Sequence, residues 1–224
     1  MNRCVKKIVV ISPHPDDETL GVGGTIKRFS EMGKEIYIIT ISGHMPPLYN
    51  KESYEVTKKE ASKVFKLLGV SKYEYLDIPA TKVNEMPRAD INNKIYNFVK
   101  KIKPEMVFIP FPDRHIDHKV IFDASVVACR PNKLDAPKIL LAYETLSETH
   151  WNVPGIEPTF NPNFFINIDN FLDFKLKAIN LYKSQINSLT QSRSAEACEA
   201  LARFRGSQNG CKYAESFQVI RIVY

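Results

Sequence analysis

The sequence predicts an α/β fold in which a mostly parallel central sheet is covered by helices on both faces. Three observations carry this. Residues 8–11 and 106–110 are unbroken apolar runs, as strands buried on both faces require. Each is followed by a short polar loop and then a helix-forming segment, over 19–32 and 117–130. The same alternation recurs as 35–41 before 52–68, and 73–78 before 87–102, the pattern of a doubly wound sheet. With 224 residues and 44% hydrophobic content, one domain over 1–224 can bury a full core.

In chain order, the first strand ends at Ser12, and the helix after it starts at Glu18 and Thr19, where early acidic residues complement the macrodipole. Gly21, Gly23 and Gly24 do not have G-x-G-x-x-G spacing, so they read as close helix–strand packing and not as a dinucleotide loop. The second strand runs into Gly43, His44 and a proline-broken loop to Asn50. Val56, Val64, Phe65 and Leu68 form the apolar side of the next helix, which Gly69 stops. Ile91, Ile95, Phe98, Val99 and Ile102 form the buried stripe of the helix from Pro87, and Pro104 ends it. Asp117 is expected to cap the helix running to about Arg130, with His118 in its first turn. A fifth strand at 137–143 precedes a long irregular stretch, 147–163, with the single tryptophan, Trp151. Loops of that length in compact domains are usually functional. A strand at 164–168, helices at 171–183 and 195–205, and a last strand at 217–223, at the sheet edge or in an accessory sheet, complete the expectation.

Chemistry concentrates in two loops that follow strands. Ser12-Pro13-His14-Pro15-Asp16-Asp17-Glu18 follows the first, and Pro112-Asp113-Arg114-His115-Ile116-Asp117-His118 follows the fourth. In a doubly wound sheet these strands flank the point where the connections diverge, and their carboxyl ends face one crevice. Three imidazoles with carboxylates at short spacing offer metal ligands, with a carboxylate left over to take a proton from water. The plain alternative for His115 and His118 is a surface helix turn. Asp113 either orients an imidazole or caps the turn.

The motifs His-Pro-Asp-Asp-Glu and His-x-Asp-His resemble those of the LmbE / PIG-L family of zinc-dependent N-acetylglucosamine deacetylases. The likeness extends to the Glu-containing helix at 58–69, to Tyr143-Glu144, to the Lys…Ala…Tyr-x-Ser-Gln segment at 175–185 and to the Arg…Gly…Tyr-Ala-Glu-x-Phe ending at 203–217. It implies a three-layer Rossmann-like fold and a metal-dependent hydrolase that removes acetyl from an N-acetylated amino sugar or sugar conjugate. It further implies Zn2+ on His14, Asp17 and His118, Asp16 as general base, and His115 as a neighbouring or transition-state group. In one place the sequence departs from the family pattern. Where the family often has Arg, three residues before the helix Glu60, this chain has Thr57, so Lys58 or Arg130 must replace that cation or none does. Candidate substrate contacts are His44, Arg130 and Trp151. His44 reads more readily as an exposed loop residue, and Trp151 equally as a plug on the core.

The formal charge of +6 is spread among glutamates without a basic block, which argues for a solvated surface and against a nucleic-acid partner. A mildly basic rim suits a nucleotide- or phosphate-linked sugar. No segment reaches the ~20 apolar residues needed to span a bilayer, and the polar start lacks a signal-like apolar stretch, so a cytoplasmic protein is expected. Cys4, Cys129, Cys198 and Cys211 lack Cys-x-x-Cys spacing and read as reduced thiols. Homo-oligomerisation stays open. The competing functions are a metal-dependent phosphoesterase, which would hold two ions, and a non-catalytic metal- or sugar-binding protein.

Overall fold

The computed structural model describes residues 5–132, 134–186 and 192–223; Cys4 lies outside them. The elements run β1 (Lys7–Ser12), α1 (Asp17–Glu31), β2 (Glu35–Gly43), α2 (Lys51–Leu68), β3 (Lys72–Pro79), α3 (Arg88–Ile102), β4 (Met106–Pro110), α4 (Ile116–Ala128) and β5 (Ile139–Tyr143). They continue as β6 (Phe164–Asn167), α5 (Leu172–Leu181), α6 (Ala195–Ser207) and β7 (Ala214–Ile222).

The seven strands form one sheet in the order β3-β2-β1-β4-β5-β7-β6. β1 is an interior strand, parallel to β2 on one side and to β4 on the other. β1 and β4 therefore flank the point where the connections diverge, as the strand–helix alternation predicts. The period-2 alternation of a strand divides β1 between two cores. Ile8 and Val10 pack with Val22 and Ile26 of α1, Val64 of α2 and Ala178 of α5. Val9 and Ile11 pack with Ile95 of α3 and Ile121 of α4 on the opposite face. This is the expected three-layer arrangement.

Local signals set the helix ends. Asn50 accepts the Ser53 N–H at 2.7 Å to cap α2, and Gly69 ends it at φ 78°. The glycines of α1 serve packing: a Cβ on Gly21 would lie 2.3 Å from Tyr143 Cδ2, and one on Gly24 would lie 2.8 Å from Ile168.

The last strand differs from expectation. β7 starts at Ala214 and lies antiparallel between β5 and β6, so β6 is the edge. Its opening Ala-Glu-Ser reads as too polar for an interior strand, yet Glu215 and Ser216 are buried because each has a partner. Lys175 Nζ lies 2.6 Å from Glu215, and the Ser216 hydroxyl donates to Glu144 at 2.5 Å. Phe217, wholly buried, packs on Phe108 with ring centroids 4.9 Å apart.

Candidate active site

The turn from β1 into α1 is held from beneath by Glu18. Its carboxylate is wholly buried and accepts the Tyr182 and Thr19 hydroxyls, each at 2.7 Å. Burial raises its pKa above the ordinary value despite these donors. Its other oxygen accepts the Asp16 N–H at 3.2 Å. The Ser12 hydroxyl, 2.7 Å from the His14 carbonyl, accepts the Glu18 N–H at 3.2 Å. Asp16 sits at φ 114°, a conformation that residues with a side chain rarely adopt and that surrounding contacts must enforce.

Asp17 Oδ2 is the centre of the site. It lies 3.1 Å from His14 Nδ1 and 3.2 Å from His118 Nε2. The far nitrogen of each ring faces a second carboxylate: His14 Nε2 is 3.0 Å from Asp117 Oδ2, and His118 Nδ1 is 2.9 Å from Asp113 Oδ1. Asp117 accepts the Thr81 N–H at 2.8 Å, and Asp113 accepts the Thr149 hydroxyl at 2.8 Å and the His115 N–H at 3.1 Å. Carboxylates behind imidazoles in this way fix ring orientation in metal sites. Asp113 thus fills both roles foreseen for it. Asp117 does not cap α4; His115 does, accepting the Asp117 N–H on Nδ1 at 3.1 Å, which frees the Asp117 carboxylate to turn inward.

The charges follow from this packing. Burial alone would push His14 down, but hydrogen bonds to Asp117 and Asp17 bring its pKa up to about 9. His118 likewise rises to about 10 against burial, because Asp17 and Asp113 face it. The two imidazoles in turn hold Asp17 well below the usual carboxylate range despite its burial. His115 is pushed down to about 4 by burial and by the charge on His14. Its Nδ1 is an acceptor, so the proton of the neutral ring is on Nε2, which makes that atom a donor. Burial raises Asp16 to about 7, with Arg193 pulling the other way.

This donor set fits a metal ion. Ligand bonds of ~2.0–2.1 Å in a tetrahedral zinc site separate ligands by roughly 3.3 Å, close to the spacings around Asp17 Oδ2. Among the described residues, Asp17 Oδ1 and both ring nitrogens of His118 are buried without an aligned hydrogen bond, although His118 lies at ion-pair distance from two carboxylates. Ligand atoms of His14, His115 and His118 also lie within 4.8 Å of one another.

Of the other candidates, His44 reaches the mouth: its ring stacks 6.4 Å from His14 and contacts Tyr49 at 4.5 Å. Trp151 ends a short 3-10 turn, Glu148–Trp151, and is 59% exposed, so it is not a plug on the core. Arg130 is not at the site. It follows Cys129 at the far end of α4, and the helix places it on the order of 20 Å from His115 at 1.5 Å per residue. It lines a surface hollow with Tyr96, Lys100 and Pro137 instead. Lys58 is engaged elsewhere, 2.9 Å from Glu55 and 3.7 Å from Asp77. Thr57 is buried against Ser184, and Glu60 accepts the Ser184 hydroxyl at 2.6 Å, so this part of α2 anchors the segment after α5.

The cation beside Asp16 is Arg193, whose Nη1 lies 3.4 Å from Asp16 Oδ2. Sequence reasoning missed it because it sits outside every periodic segment; its adjacency to a helix start was the one available signal. The inward roles of Glu18 and Asp117 were also missed, although both stand inside the two motifs.

These features gather candidate metal donors, with carboxylates behind them, at the carboxyl ends of β1 and β4 in a three-layer α/β fold. Residues 9–129, more than half of the chain, match the family described as PIG-L: GlcNAc-PI de-N-acetylase, and the chain belongs to that family. It is 27% identical over 230 residues to a diacetylchitobiose deacetylase of Thermococcus kodakarensis, covering 96% of this chain and 84% of that protein. The solved N,N'-diacetylchitobiose deacetylase from Pyrococcus horikoshii superposes with a TM-score of 0.78 at 26% identity, over 97% of this chain and 85% of that one. A 4-carboxy-2-hydroxymuconate hydratase from Pseudomonas putida shares the fold, with a TM-score of 0.77 at 18% identity over 98% of each chain.

Proposed function

We propose that the protein removes the acetyl group from an N-acetylated amino sugar or sugar conjugate, using one zinc ion held by His14 Nδ1, Asp17 and His118 Nε2. The observation that carries this is the convergence of those three donors, each imidazole backed by its own carboxylate, beside a carboxylate that is not engaged with them. The shared fold of a hydratase shows that fold alone does not assign the reaction. Zinc, when bound, supplies Lewis acidity and brings the pKa of coordinated water to about 7.

The chain's own residues do the rest. The Asp16 carboxylate lies beside Arg193, its Oδ2 3.4 Å from Nη1, and takes a proton from water. It then passes that proton to the nitrogen of the leaving amine. His115, neutral with its proton on Nε2, donates a hydrogen bond to the oxygen that gains charge. His44 and Trp151, on the loops over 43–50 and 147–163, contact the sugar. The free thiols Cys129, Cys198 and Cys211 support a reducing, cytoplasmic setting. No described helix is long and apolar enough to cross a membrane.

The test is to strip the protein of metal, restore one equivalent of zinc, and screen N-acetylated mono-, di- and conjugated sugars for loss of one acetyl group by mass spectrometry. Acetate release that requires zinc is the expected result. Phosphate release from phosphomonoesters with two bound ions, and no deacetylation, would replace this reading with the phosphoesterase.

A further inference from the structure

Arg193 joins the loop that carries His14 and Asp17 to the turn that starts at Ser147. Its Nη1 lies 3.4 Å from Asp16 Oδ2, its Nε donates to the Ser147 hydroxyl at 3.1 Å, and its Nη2 is 3.6 Å from Glu148 Oε1. The guanidinium is 22% exposed, so it lies at the inner wall of the crevice and not on the open surface. Both residues it holds have unusual backbones: Asp16 at φ 114° and Ser147 at φ 80°, ψ −79°. Conformations of this kind cost about 1–3 kcal/mol each and persist only where the surroundings enforce them.

Beneath Asp16, Glu18 fixes the backbone through the Asp16 N–H. Arg193 alone, among the described residues, donates a hydrogen bond to the Asp16 side chain. Ser147, in turn, starts the 3-10 turn to Trp151: its carbonyl accepts the N–H groups of His150 and Trp151, both at 3.0 Å. The same turn is fastened a second time where the Thr149 hydroxyl donates to Asp113, the carboxylate behind His118. Arg193 itself is anchored by its neighbour. Ser194 is buried and caps α6, accepting the Ala197 N–H at 3.1 Å. A planar fork with donors on two sides is the side chain that can span such a gap; an ammonium cannot reach both partners at once.

From this geometry we infer that Arg193 is a positioning residue: it holds the Asp16 carboxylate in its working pose and locks it to the turn that carries Trp151. The inference rests on the reading of Asp16 as the base. It also names the cation that serves this crevice now that Arg130 and Lys58 are placed elsewhere.

The experiment uses the full-length, zinc-loaded protein with N,N'-diacetylchitobiose as the substrate. Arg193→Ala should lower kcat by about 10²-fold, the cost of a misplaced catalytic group, while KM changes less than about threefold. Zinc content should be unchanged, and added guanidinium should restore part of the rate. Arg193→Lys keeps the charge and loses the fork, so it should fall between the two. If Ser147 acts through Arg193, Ser147→Ala should add no further loss to Arg193→Ala. A crystal structure of zinc-loaded Arg193→Ala should show the Asp16 carboxylate displaced, with the backbone still held by Glu18. Unchanged kcat, or Asp16 held in the same pose without Arg193, would overturn the inference. Should the wild-type protein deacetylate nothing, the functional reading falls, and the crystal structure alone still decides whether Arg193 holds Asp16.

Discussion

The ion pair between Lys175 of α5 and Glu215 of β7 gives the strongest stability prediction. Side-chain exposure is 5% and 3%, and the charges are 2.6 Å apart. Lys175 Nζ also donates to the Leu20 carbonyl at 2.7 Å, and Glu215 accepts the N–H groups of Gly24 and Thr25 at 2.9 and 2.7 Å. The pair therefore stitches the glycine-rich middle of α1 to two other elements. Glu215→Gln keeps the shape and leaves an ammonium in the core without a counter-charge. Breaking a buried pair from one side costs about 3–5 kcal/mol. At roughly 2–4 °C per kcal/mol for a chain of this size, Tm should drop by about 6–20 °C. Lys175→Met should cost less, because the Glu215 carboxylate keeps two backbone donors. Thermal unfolding followed by circular dichroism, with a chelator present, measures both, and the double variant should lose less than the sum. A drop under about 2 °C for Glu215→Gln, or strict additivity, would refute the reasoning.

At the site, Asp16→Asn should keep zinc and fold while kcat falls by about 10²- to 10⁴-fold, whereas Asp17→Asn should lose metal and recover partly in excess zinc. Elemental analysis beside steady-state kinetics separates the two, and the reverse pattern exchanges their roles. Trp151→Ala should raise KM or shift substrate choice at constant zinc content; unchanged kinetics on the best substrate would remove Trp151 from the binding surface. Glu144 supplies a pH test. Burial pushes its pKa up, but hydrogen bonds from His150, Arg205 and Ser216 hold it below the ordinary 4.5. A lowered native pKa adds stability that is complete above 4.5 and disappears as pH falls through the native value. Urea unfolding should thus show the wild-type advantage over Glu144→Gln shrinking on acidification; an advantage that grows in acid contradicts the assignment.

What the sequence made legible was whatever depends on short range. β1 and β4 announce themselves as apolar runs, and His14, Asp17 and His118 sit at their ends with spacing that a turn enforces. The helix ends before Gly69 and Pro104 follow from those residues themselves. Contacts across the chain left no such trace. Arg193 reaches Asp16 over 177 positions, from a segment with no period of its own. Asp117 looks like a cap until the fold brings His14 against it. β7 looks like an edge because its polar residues hide partners, Lys175 and Glu144, that only tertiary structure supplies. Arg130 failed for a simple reason of length: a helix that begins at the site ends on the other side of the molecule.

The place of β7 has a consequence for how the chain reaches its working form. By His118 a growing polypeptide has delivered every candidate ligand, and the parallel strands β1 to β4 can already associate. Yet β6 has β7 as its partner in the sheet, and α1 waits for Glu215 to bind Gly24 and Thr25, close to two hundred positions later. Closing so long a loop is slow relative to local pairing. The helix that opens on Asp17 therefore draws part of its support from the far end of the chain. A half-made chain holds the candidate ligands in outline, while part of the scaffold behind them comes from a strand that contributes no ligand.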